Sequence, residues 1–183
     1  MFKNIKLAIT MAAFSLVGCS DASFQSTSHE NLVLLEQYTN SLAEMFKDGD
    51  IQKVNEWLFD GHSMFTESEE AILERIFPYV DINLLHSNEE LFQIEVTAPN
   101  MSNLFLDMII GSAMDIRAMD IAELLNYIEY YITNIDSQYM IVNLSYIVDN
   151  GSVLVDFSTP DFMTAITGKL FEAYVQLYLD ALA

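Results

Sequence analysis

One cysteine, three prolines, six glycines and one tryptophan are all that this chain of 183 residues carries of those four types. A single thiol excludes an intramolecular disulfide, so the fold must be held by packing. So few prolines and glycines exclude a collagen-like or low-complexity linker chain. Basic side chains are scarce too: seven Lys and Arg stand against 27 Asp and Glu, a formal net charge of −20. That balance repels phosphate backbones and anionic headgroups, and no local Lys/Arg cluster offsets it, which argues against nucleic acid as a partner. What is abundant is apolar: 52% of residues are hydrophobic, and an acidic surface keeps such a chain from aggregating.

The first 18 residues hold Lys3 and Lys6, no acid, and an apolar run from Leu7 to Val17 broken only by Thr10 and Ser15. The run is too short to span a bilayer and reads as a secretory signal. It ends in Leu16, Val17, Gly18 and Cys19. This L-V-G-C resembles the lipobox of bacterial lipoproteins, in which the thiol takes a diacylglyceryl group and the chain is cut before the cysteine. The resemblance implies lipidation at Cys19, with the palmitate-type acyl chains of such lipoproteins as the anchor. An ordinary signal peptide with a chance cysteine, or a buried N-terminal helix, is the alternative. Each buried methylene contributes about 0.8 kcal/mol, so two or three acyl chains on one residue hold durably where one does not.

The organisation expected is a signal peptide over 1–18, a lipidated tether over 19–29 and one globular domain over 30–183. The tether, Ser20 to His29, is polar apart from Phe24, and its typical span is under about 20 Å. The localisation that follows is a cell membrane, lipid-anchored and facing out of the cytoplasm, with membrane contact through the lipid alone.

Apolar spacing of three and four predicts helices over 30–47, 51–58 and 67–77, the third opened by the capping box Thr66 to Glu69. Asp50 is suited to cap the second, and Pro78 marks where the third weakens. Leu91 to Ala98 alternates as a half-buried strand, and two helices follow it, through Leu104 to Ile109 and through Met119 to Ile132. Gln138 to Val148 alternates again, Asn150-Gly151 marks a hairpin, and Val153 to Phe157 returns. Thr159 and Pro160 open a last helix, with a stripe from Phe162 through Leu170 and Ala173 to Ala181. The expectation is one α+β domain with three strands.

Leu34 to Leu58, a long helix followed by a Gly-Asp step into a short one, resembles the opening of nuclear-transport-factor-like and cystatin-like domains. Val155 to Leu170 resembles the closing segment of small exported lipoproteins of that superfamily in Gram-positive bacteria. Together they cover about a third of the chain. The resemblance implies helices packed on a small curved antiparallel sheet, a cystatin-like cone; residues 100–132 are a helical elaboration of it. The family uses its cone for binding or, in ketosteroid-isomerase-type members, for catalysis by a pocket carboxylate and a tyrosine. None of the family's catalytic residues can be placed on a position here.

Other patterns are weaker. Gly61-His62-Ser63-Met64-Phe65 approaches a nucleophile elbow but lacks the last glycine and the preceding strand. His29, His62 and His86 lie far apart without zinc spacing, and Asp48-Gly49-Asp50, Asp115 and Asp120 lack a calcium-loop pattern. No metal or cofactor is implied. Glu56, Glu67, Glu69, Glu70 and Glu74 crowd one region, with nothing to bury two together. Trp57 and the helix-borne Tyr127, Tyr130 and Tyr131 are candidate contacts for a ligand or partner; core or rim packing is their alternative role. The function expected is a non-catalytic binding or interaction module at the cell envelope, an isomerase-type enzyme being the alternative.

Overall fold

The computed structural model describes residues 29–59, 61, 65–88, 91–112, 120–149, 151–157, 159–170 and 172–173. The leader, Cys19 and almost all of the tether lie outside them, as do His62, Ser63, Asp115 and the stripe beyond Ala173.

The chain opens with α1 (His29–Lys47) and α2 (Ile51–Phe59). Asp50 caps α2: its Oδ1 accepts from the backbone N–H groups of Gln52 and Lys53, satisfying donors the helix itself cannot use. Next comes α3 (Glu67–Ile76), where Thr66 and Glu69 form the reciprocal capping box that their spacing predicts. Pro78 then sits in a 3-10 turn over Phe77–Tyr79, and the chain enters β1 (Asp81–Ser87).

β2 (Leu91–Pro99) is followed by α4 (Leu104–Ser112) and α5 (Ile121–Asn134), the helical insertion expected between the strands. β3 (Ser137–Asp149) and β4 (Ser152–Val155) form the hairpin, with Gly151 at φ +75°, a conformation that costs glycine little. α6 (Pro160–Ile166) closes the series, capped by the Thr159 hydroxyl, which accepts from the Phe162 N–H.

The strands pair antiparallel in the order β1-β2-β3-β4. Alternation decides the faces: Phe92, Ile94 and Val96 of β2 join Val142, Leu144 and Tyr146 of β3 in the core, and Gln93, Glu95, Tyr139 and Ile141 look outward. α1 lays Leu35, Leu42 and Phe46 into the same core, and α6 adds Phe162, all fully buried. The architecture is helices packed on a four-stranded antiparallel sheet, an α+β fold consistent with a cystatin-like cone.

Two expectations are corrected. The sheet has four strands where three are expected, because Asp81–Ser87 forms an edge strand whose alternation is broken by a bulge between Leu84 and His86. His86 therefore sits on this edge strand. The last helix is also interrupted: α6 ends at Ile166, and helical backbone resumes at Leu170. Gly168 and Lys169 take φ +57° and +65°, and the Gly168 carbonyl accepts from the Met101 N–H at 2.7 Å. A Cβ on Gly168 would stand 2.0 Å from the Pro99 carbonyl oxygen, so only glycine permits this approach.

Candidate functional site

Among the described residues, apolar side chains pack between the sheet and the helices. Phe157 lies with its ring centre 4.8 Å from Phe162 and 6.2 Å from Tyr38, and Phe92 packs edge-on against Tyr146 at 5.7 Å. Burial pushes the Tyr38 phenol far above its ordinary value. The buried polar or charged residues among those described are Thr39, Asn55 and Thr167. Thr39 donates to the Leu35 carbonyl within α1, and Thr167, just past the end of α6, donates to that of Met163. Asn55 donates to Glu70 at 3.1 Å, and its Oδ1 is buried with no hydrogen-bond partner.

The aromatic candidates fall into two groups. Trp57, half-buried on α2, stacks on Tyr38 at 4.8 Å with the rings 20° apart, which makes it a wall of the core. Tyr127, Tyr130 and Tyr131 share α5, where Tyr127 stacks on Tyr131 at 6.3 Å and Tyr130 turns outward at 65% exposure. The buried Tyr131 donates to the exposed carboxylate of Asp107 on α4 at 3.1 Å. Burial, then that hydrogen bond and the Asp107 charge, hold the Tyr131 phenol well above its ordinary range. Here a tyrosine meets a carboxylate at the surface, on the helical insertion and away from the packed sheet face.

The open space lies elsewhere, at the sheet edge. A groove of about 610 Å³ separates α1, through Leu32, Glu36, Thr39 and Asn40, from β1, through Asn83, Leu84, Leu85, His86 and Ser87. Outside the groove lining, Lys47 Nζ of α1 and Asp81 Oδ1 of β1 pair at 3.1 Å. Leu32, Glu36 and Asn40 follow each other at a spacing of four, one row along α1 distinct from the row that enters the core. The bulge places Leu85 outward at 47% exposure beside the opening.

None of the four aromatic candidates lines this groove. The groove residues were missed in the sequence; the signal that could have found them is the polar row Glu36-Asn40 beside a buried one on α1. Among the described residues, no cluster of three or more His, Cys, Asp or Glu is placed to hold a metal ion, and no helix is long and apolar enough to cross a membrane. Comparison with protein-family models, curated proteins and solved structures finds no match to the chain.

Proposed function

We propose that this chain is an exported lipoprotein, anchored through lipid on Cys19, whose α+β domain acts as a non-catalytic binding module at the outer face of the membrane or in the periplasm. The observation that carries the binding half of this reading is where the space lies. Aromatic and aliphatic side chains fill the interior where a catalytic pocket would sit, and the groove is at the rim between α1 and β1. A rim groove bordered by a sheet edge suits contact with another molecule better than sequestered chemistry, which relies on excluding water. The anchoring half rests on the L-V-G-C sequence and the short apolar leader before it.

The Cys19→Ala chain is expected to leave the membrane fraction and to lose labelling by a fatty-acid probe. Retention of both would overturn the anchoring. For the binding half, the lipidated chain crosslinked in its own cells is expected to give a discrete adduct of higher mass; its absence while the protein remains folded and anchored counts against a binding role.

A further inference from the structure

The groove has a strand edge for one wall. β1 is the first strand of the sheet and pairs with β2 on one side; among the described residues no strand pairs with the other. A strand edge presents backbone donors and acceptors to any extended chain that reaches it, which is why proteins protect edges with charges, proline or bulges. β1 has the bulge at Leu85, but from Ile82 to Ser87 it carries no proline, lysine or carboxylate. Its one acid, Asp81, is tied to Lys47.

The opposite wall has matching dimensions. Leu32 to Asn40 spans eight residues of helix, about 12 Å. That is the length of about four residues of extended chain. Leu32 on α1 and Leu84 on β1 offer apolar contact, and the only formal charge among the lining residues is the Glu36 carboxylate, in a chain whose net charge is −20. A row of side-chain contacts facing a row of backbone hydrogen bonds is the arrangement by which an extended peptide is taken up as an added strand. The sign of the charge selects a cationic peptide over an anionic one.

We infer that the groove between α1 and β1 takes an extended basic peptide segment of a partner protein, which adds to β1 as a fifth strand and sets a lysine or arginine against Glu36. This rests on the reading of the domain as a binding module and names its partner class. The full lipidated chain in neutral detergent, mixed with a capped heptapeptide of alternating lysine and valine, provides the test by hydrogen exchange and mass spectrometry. Pairing with the peptide is expected to slow exchange within residues 81–87 by about tenfold, as added hydrogen bonds protect edge amides. N-methylation of alternate peptide residues is expected to abolish the effect, and Glu36→Lys, at an exposed position, to weaken binding about tenfold.

No slowing at 81–87, equal slowing by an alternating glutamate and valine peptide, or equal slowing by the N-methylated peptide would each overturn the inference. Protection confined to α5 would move the site to the tyrosines. Neither result would touch the Cys19 fractionation or the crosslinked adduct, so this inference and the proposed function fail separately.

Discussion

The sheet's inner face and its β1 edge are built from similar apolar residues and end in opposite states. On the inner face Phe92, Ile94, Val142 and Leu144 meet α1 and α6 and are sealed. At the edge Leu84 is only partly covered, Leu85 is bulged outward, and a groove opens beside α1. The difference lies in how partners are supplied: the inner face is closed by several elements distant in sequence, whereas the groove beside the edge is flanked, among the described residues, by α1. Closure by several elements gives rigidity, and a single flanking element leaves room. That contrast should be measurable as a gradient of mutational cost from the interior outward.

The steepest cost is expected at Gly168. An added Cβ would meet the Pro99 carbonyl at 2.0 Å on a backbone already at φ +57°, and the turn would have to pull away from Met101 as well. Gly168→Ala combines a backbone clash with left-handed strain and is expected to destabilise by more than about 3 kcal/mol, seen as insoluble expression or loss of the cooperative denaturant transition. A variant that unfolds within about 1 kcal/mol of the native chain would show that α6 and Pro99 are not closely joined.

The comparison itself is sharpened by two truncations. Phe162→Ala empties a fully buried site beside Phe157 and is expected to cost about 3 to 5 kcal/mol. Leu85→Ala, at the exposed bulge, is expected to stay within about 0.5 kcal/mol. Urea midpoints with unchanged slopes measure both. A large loss at Leu85 would mean that the edge is part of the core and the groove is not an independent surface.

Much of this architecture was legible in the sequence, for reasons that can be named. Thr66 with Glu69, Asp50 and Thr159 with Pro160 announce helix starts because capping is local, and each cap is in place. Asn150-Gly151 announces the β3-β4 hairpin for the same reason. The edge strand β1 was not legible: among the described residues β2 is its one strand partner, and the bulge at Leu85 shifts its period. The break after α6 was hidden because the apolar stripe continues past Gly168, whereas Gly168 and Lys169 take positive φ where the turn packs against Pro99 and Met101. The groove was hidden because it exists only where α1 and β1, distant in sequence, are brought side by side. Trp57 and the tyrosines are visible in sequence as aromatics, but whether a ring faces a partner or a core depends on what folds over it. For Trp57 that is Tyr38.

The smallest effect is expected at the ion pair between α1 and β1. The Lys47 ammonium, hydrogen-bonded to Asp81, and then Asn83, which donates to it at 3.1 Å, hold the Asp81 carboxyl below its ordinary value of 3.8. A depressed folded value means that the stabilisation is fully present above 3.8 and is lost as pH falls through the lower folded value. Both side chains are about half exposed, so solvent screens the pair and its contribution at neutral pH is under about 1 kcal/mol. Asp81→Asn should therefore lower the urea midpoint slightly at pH 7, with the difference from the native chain vanishing in strong acid and shrinking in high salt. The groove should keep its width, because Phe46 and Phe77, packed edge-on at 4.8 Å, join α1 to the turn before β1 independently of charge. If Asp81→Asn instead sped exchange along the whole of β1, the ion pair and not the aromatic contact would be the hinge on which the edge is held.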